Sequence, residues 1–257
     1  MIFIGTSGYS YADWVGPVYP PGTKKGDYLH HYKELFSACE LNFSYYRIPS
    51  ARTMQGILSK SDGRVTFTVK ASKEMTHERK DPAPAAKAFL EGVKPLCDAG
   101  KLGCVLAQFP YSFHHGPKQE KFVEELVKML EGLPTVIEFR GRDWIRDDTF
   151  DWLKSLGAGF CCVDEPRLKG LIPPLDRVTS ETGYVRFHGR NAKKWWKHDQ
   201  AWERYDYLYS SKELEEWVPR IKKMAQEAKN LFIFANNHYQ GKAVTNAQSL
   251  QDLLSNL

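Results

Sequence analysis

Short apolar runs alternate with longer amphipathic stretches from one end of the chain to the other. Residues 2–5, 39–43, 65–71, 104–109, 135–139, 160–163, 184–188 and 231–235 are brief, rich in β-branched and aromatic side chains, and read as strands. Between them, apolar positions recur at helical spacing over about 26–36, 51–59, 84–98, 117–130, 147–156, 212–229 and 243–254. Pro84 and Pro117 suit first helical turns, and Gly100, Gly132 and Gly157 suit helix ends. Residues 165–183 carry three prolines and little helical periodicity, so they read as an irregular crossover. Residues 191–211 form a long insertion after the seventh strand, of the kind that is usually functional or disordered.

Eight strand-plus-connection units predict parallel strands, and eight is the number that closes a barrel. The first strand runs into Gly5-Thr6-Ser7-Gly8, which lacks the G-x-G-x-x-G spacing of an open dinucleotide-binding sheet. The expectation is a single-domain α/β chain over 1–257, a TIM-type (β/α)8 barrel with its long insertion after strand seven.

Alternation within the strands then assigns faces. With Val65, Phe67 and Val69 under the helices, Thr66, Thr68 and Lys70 point inward. The same reasoning places Glu40, Asn42, Leu106, Gln108, Val136, Glu138, Arg140, Tyr184, Arg186 and His188 inside. It also places Cys162 and Asp164 of strand six, and Phe232, Phe234 and Asn236 of strand eight, inside. The inward sets turn polar at their C-terminal ends, in Lys70, Gln108, Glu138, Asp164, His188 and Asn236. That predicts a polar ring at the mouth where barrel active sites sit. The competing reading is an ion-paired plug, Glu40 with Arg186 and Glu138 with Lys70 or Arg140, that merely fills the barrel.

Composition changes this picture little. The 257 residues are 42% hydrophobic and 26% charged, with a formal net charge of +5 that permits a polyanionic partner without demanding one. No apolar run is long enough to span a membrane, and MIFIGTSGYS reads as a first strand and not a secretion signal. The five cysteines, Cys39, Cys97, Cys104, Cys161 and Cys162, have no C-x-x-C spacing. They read as small core residues of a chain in a reducing, cytoplasmic setting.

Seven blocks, in order, resemble the YecE-like family, domain of unknown function seventy-two: GTSGYSYADWVGPVYP (5–20), ELNFSYYRIP (40–49), FTVKASKEMTH (67–77), LAQFPYSF (106–113), EFRGRDW (138–144), YVRFHGR (184–190) and FANNHYQGKAVTNA (234–247). The resemblance covers essentially the whole chain. It implies an eight-stranded α/β barrel and brings no particular reaction with it. Tyr111 stands where many relatives carry a second proline, and Phe187 where leucine is common; neither touches a charged position.

The expected catalytic groups are Glu138, Lys70, His188 and Asp164 at the strand ends. Thr6, Tyr9, Trp14, Asn42, Tyr46, His77, Gln108, Arg140, Trp144, Arg186, Arg190, Asn236 and Asn237 are the expected substrate contacts. Glu138 with Lys70 or His188 would form an acid–base pair. A Schiff base on Lys70 is disfavoured here, because a neighbouring carboxylate would keep the amine protonated. Glu138, Asp164, His188 and His77 raise a divalent metal as an option, although no ligand spacing supports it. Gly189, Arg190, Asn236, Asn237, Gly241 and Lys242 follow strands seven and eight, where barrels often bind phosphate. In the insertion, Lys193, Lys194 and Lys197 interleave with Trp195, Trp196 and Trp202. That pattern suits single-stranded nucleic acid, or else a lid whose tryptophans pack on the rim.

The leading expectation is an enzyme acting on a phosphate-bearing substrate, a small molecule or a nucleic acid, in the manner of a phosphodiester hydrolase. The alternatives are a sugar or sugar-phosphate isomerase, lyase or hydrolase with a lidded pocket, and a nucleic-acid-binding module without chemistry.

Overall fold

Strands that are apolar on both faces need cover on both, and the chain supplies it by closing the sheet on itself. The structure is a computed structural model that describes residues 1–255. Its strands are β1 (Ile2–Ser7), β2 (Ala38–Leu41), β3 (Thr66–Lys70), β4 (Leu102–Gln108), β5 (Thr135–Glu138), β6 (Gly159–Asp164), β7 (Thr182–Phe187) and β8 (Asn230–Ala235). All neighbours pair in parallel in sequence order, and β8 returns to β1 to complete a TIM-type barrel.

The outer layer is α1 (Tyr28–Leu35), α2 (Ala51–Lys60), α3 (Pro82–Asp98), α4 (Pro117–Met129), α5 (Asp147–Ser155), α6 (Ser211–Glu215), α7 (Val218–Glu227) and α8 (Lys242–Leu254). Ser50 caps α2 by accepting the Thr53 N–H at 3.2 Å, and Met54, Ile57 and Leu58 form its buried stripe. In α3, a Cβ at Gly92 would lie 2.0 Å from the Pro49 carbonyl oxygen, so only glycine permits that approach. The single helix expected over 212–229 is two, α6 and α7. Pro219 lacks the N–H needed to continue a helix from α6, and Trp217 is buried at the break. Residues 165–181 form no helix, in line with their prolines.

Register settles which residues share a face. Inside, Phe3 stacks on Phe232 at 4.9 Å and closes the N-terminal end, with Tyr184 against Phe234 above them. The expected inward positions hold for β2, β3, β4, β5, β7 and β8. Strand β6 is the correction. Cys161 pairs with Tyr184 and Val163 with Arg186, both inward partners, whereas Asp164 pairs with outward Phe187. Cys162 and Asp164 therefore face the helices. Two residues beyond Val163 on the inward side comes Glu165, not Asp164. Phe160–Val163 is apolar on both faces, so alternation gave no way to choose between them. Thr6 is also outward, where it meets the Tyr32 hydroxyl of α1 at 3.0 Å.

Candidate functional site

A continuous polar chain climbs the barrel interior. Thr68 meets the Tyr184 hydroxyl at 2.8 Å, and Tyr184 donates to Glu40 at 2.7 Å. Arg186 then bridges two carboxylates, giving one terminal nitrogen to Glu40 at 2.7 Å and the other to Glu138 at 2.6 Å. Glu138 also accepts from His188 Nε2 at 3.0 Å and pairs with Arg140 Nε at 2.9 Å. Burial opposes its charge, but Arg140, Arg186 and His188 hold the carboxyl well below its usual range. Burial, reinforced by Arg140, pushes His188 down to about 3, so its imidazole is neutral. Nε2–H then donates to Glu138, and Nδ1 accepts from the Asn236 amide at 3.0 Å. The plug expected as the alternative exists in the pairs Glu40–Arg186 and Glu138–Arg140. Glu138 is its hub, fully buried beneath the mouth and saturated with cations.

Lys70 is different. It does not pair with Glu138. Its amine donates to Gln108 Oε1 at 2.8 Å and lies 4.6 Å from the centre of the Tyr45 ring, two neutral partners. Burial first, and then the Arg186 charge, push it down to about 7. The expectation that a carboxylate keeps Lys70 protonated is thus corrected: the carboxylates are drawn to the two arginines instead.

Above these residues lie two adjoining hollows of about 370 and 240 Å³. Both are walled by His77, Gln108, Arg140 and Tyr205. Tyr11, Asn42, Tyr45, Tyr46, Lys70, Arg186, Asn236 and His238 complete the larger, and Glu165, Leu171, Trp195 and Arg204 are among those that complete the smaller. Side-chain atoms without hydrogen-bond partners gather here: Asn42 Oδ1, Glu165 Oε2, Arg186 Nε and His238 Nδ1. Buried polar groups are ordinarily satisfied, so this concentration sets the mouth apart from the packed barrel beneath it. Arg140 has its Nε against Glu138, while Glu165 approaches one terminal nitrogen only at 3.5 Å. A wider hollow of about 1170 Å³ at the opposite end is lined by strand starts and helix ends, with no comparable set of buried titratable groups.

Sequence reasoning missed Glu165 and Tyr205. Glu165 is fully buried, with Oε1 accepting the Ile172 N–H at 2.9 Å. Burial raises its carboxyl to about 7 although Arg140 opposes the shift. Tyr205 reaches the mouth from the insertion, 6.2 Å from the His188 ring, and nothing local in the sequence sets it apart. His77 is where it was expected, pushed down to about 4 by burial and by Lys70.

The insertion folds back over this mouth. Trp195 is 2% exposed and walls the smaller hollow. Trp202 stacks on Tyr239 at 4.0 Å, and Trp196, half exposed, packs edge-on against Tyr111. Lys194 pairs with Glu203 at 2.6 Å, and Lys242 of α8 pairs with Asp206. Lys193 and Lys197 are exposed. The arrangement is a lid: Trp202 and Trp196 meet the rim at Tyr239 and Tyr111, and Trp195 is buried over the smaller hollow.

Several other expected contacts lie elsewhere. Asp164 sits under α7, accepting two hydrogen bonds from Arg190 at 2.8 Å each, one from Trp217 at 2.7 Å and one from Tyr209 at 2.8 Å. Arg190 is thereby occupied, and Glu216 takes a further bond from it at 3.0 Å. The Asn237 amide donates to Tyr207 and Asn246. With Lys242 also paired, the expected phosphate loops present no open cradle. Trp14 and Trp144 are core residues whose indoles donate to the carbonyls of His238 and Phe113. Tyr9 packs toward Tyr32 and takes no part in either hollow. Glu138, Asp164, His188 and His77 do not converge, and the described residues contain no group of three or more His, Cys, Asp or Glu arranged to hold a metal.

No helix among the described residues is long and apolar enough to cross a membrane. The chain is 31% identical to the UPF0759 protein YunF of Bacillus subtilis, over 99% of this chain and 95% of that protein. A DUF72 family protein of Thermotoga maritima has a crystal structure that superposes with a TM-score of 0.92, at 37% identity and 99% coverage of both chains. A second, from Enterococcus faecalis, gives 0.88 at 25% identity, covering 99% of this chain and 96% of that one. The family described as protein of unknown function DUF72 matches residues 3–257, and the chain belongs to it.

Proposed function

We propose that the protein is a small-molecule enzyme, an isomerase or lyase that moves a proton on an anionic, oxygen-rich substrate such as a sugar phosphate or sugar acid. The observation that carries this reading is Lys70: an amine held by neutral partners and pushed down to about 7, facing a lidded cavity whose wall also presents Arg140. Arg140 would take the carboxylate or phosphate, since its terminal nitrogens make no hydrogen bond among the described residues. Asn42, Asn236 and His238 would orient hydroxyl or carbonyl oxygens. Lys70 and Glu165, both near pH 7 in their titration, are matched to donate and accept protons at neutral pH.

The hollows suit one small ligand and not a strand of nucleic acid, which calls for an open basic groove with free stacking faces. Here the stacking faces are largely engaged and Lys194 is paired. A phosphate-bearing small substrate stays within the proposal; phosphodiester hydrolysis of nucleic acid is the weaker reading.

The test is solvent-deuterium incorporation into a panel of sugar phosphates, sugar acids and 2-keto acids, followed by proton NMR, with anion binding read in parallel from tryptophan fluorescence. The proposal expects exchange in at least one compound, lost in Lys70→Met. No exchange in any compound, together with no anion binding, would overturn it.

A further inference from the structure

Resting on that reading, we propose that Lys70 is a covalent nucleophile that forms a Schiff base with the carbonyl carbon of a 2-keto acid or a ketose or aldose phosphate. A lysine can attack a carbonyl only as the free amine, and two arrangements commonly provide that: an apolar or desolvated site, or a nearby cation. Lys70 has both. Among the described residues no carboxylate lies within ion-pair distance of its nitrogen, and the charge of Arg186 acts on it from below. Gln108 cannot turn away to be replaced by a stronger acceptor, because its own amide nitrogen is tied to the Phe109 carbonyl at 2.6 Å. Its Oε1 is therefore fixed on the amine. That contact holds the Lys70 nitrogen in the wall of the larger hollow.

The step balances without any oxidant or reductant. The Lys70 nitrogen forms a bond to the carbonyl carbon while the C=O π pair moves to oxygen. One amine proton is lost and one is gained by that oxygen, giving the carbinolamine. A proton taken up by its hydroxyl from water in the cavity lets water leave with the C–O bond pair, and the nitrogen lone pair closes the C=N bond. The protonated imine then withdraws electrons from the adjacent carbon. Removal of a proton, or cleavage of a carbon–carbon bond, at that carbon becomes easier, and hydrolysis returns the free amine. Arg140 anchors the anionic end throughout, which keeps the carbonyl within reach of one amine and away from surface lysines.

The experiment is borohydride trapping with pyruvate and, separately, dihydroxyacetone phosphate, followed by peptide mass spectrometry on the full chain. The expected result is a reduced adduct on the peptide carrying Lys70, absent in Lys70→Arg with its thermal transition intact. Gln108→Glu provides a second reading, because a carboxylate beside the amine should keep it protonated. Trapping near neutral pH should fall by about tenfold for each unit the amine is raised, and should recover at alkaline pH. A purely structural Gln108 would not give that recovery. Adducts spread over surface lysines and unchanged in Lys70→Arg would overturn the proposal. Anion binding and deuterium exchange without any Lys70 adduct would overturn it while leaving the proton-transfer reading in place. Loss of binding, exchange and adduct alike would remove both.

Discussion

Lys70 and Gln108 form a 2.8 Å hydrogen bond in which a potentially charged group has only a neutral acceptor. Two carboxylates, Glu40 and Glu138, also point inward, yet both are committed to Arg186, and Glu138 to Arg140 as well. The competition explains the lysine. Arginine offers two carboxylates a planar fork at once, which a single ammonium cannot match. The charged plug and the unpaired amine are two consequences of one arrangement.

Stability against pH follows from it. The Lys70 amine is pushed down to about 7 in the folded chain, against its ordinary 10.5 when unfolded. Between those values the unfolded chain binds more protons, so stability rises with pH across the window. Below pH 7 the folded state carries the whole cost of an ammonium in the wall. Lys70→Met should therefore raise the melting temperature relative to wild type, most at and below pH 7, with the gain fading toward pH 10.5. Paired thermal melts across this range check it, and a gain independent of pH would contradict it.

The plug should be costly to break. Glu138→Ala leaves Arg186 and Arg140 each short of a carboxylate in a buried setting, where removing one partner typically costs about 3–5 kcal/mol. Urea unfolding of the variant measures it. A loss below about 1 kcal/mol, the size of an exposed pair, would show that the network is solvated.

Asp164 and Glu165 are adjacent in sequence and opposite in consequence. Asp164→Asn should destabilise the Arg190–Tyr209–Trp217 cluster but leave chemistry per folded molecule unchanged. Glu165→Gln imitates the protonated carboxyl, so it should retain stability and lose proton transfer. Glu165 is raised to about 7, so its stabilising effect is full below its ordinary value of 4.5 and is lost as pH climbs through 7. The glutamine variant should accordingly gain on wild type above pH 7. Unfolding curves and deuterium exchange on both variants separate the two positions.

That pair also shows where the sequence stops being legible. Barrel closure was readable from eight alternating units, and the inward sets of β3, β5 and β7 from their polar–apolar alternation. Strand β6 has no such alternation, because its inner face meets other side chains and its outer face meets helices, and both demand apolar residues. Only pairing to β7 fixes its parity. Partnerships were harder still. Lys70, Arg140, Arg186, Glu40 and Glu138 were all placed inside the barrel, but which cation takes which carboxylate depends on reach and geometry across strands distant in sequence. Arg190 and Lys242 looked available for phosphate for the same reason, since Asp164 and Asp206 lie far from them along the chain. Tyr205 arrives by the fold of a long loop, which periodicity does not describe.

The lid makes its own prediction. Trp195 is the insertion's buried anchor over the smaller hollow, with Arg204 lying 5.5 Å from its ring centre. Trp195→Ala should make residues 191–210 susceptible to limited proteolysis and weaken anion binding by roughly tenfold, with little change in the global melting transition. Protection equal to wild type would mean that the loop is held by Trp202 and the Lys242–Asp206 pair alone.

Titration of Lys70 itself tests the central claim most directly. Reductive methylation with carbon-13 formaldehyde gives each lysine its own NMR signal, and Lys70→Arg assigns the one that matters. The account predicts a midpoint near 7 for that signal, moving upward in Gln108→Glu. A midpoint for Lys70 near 10.5 would contradict it.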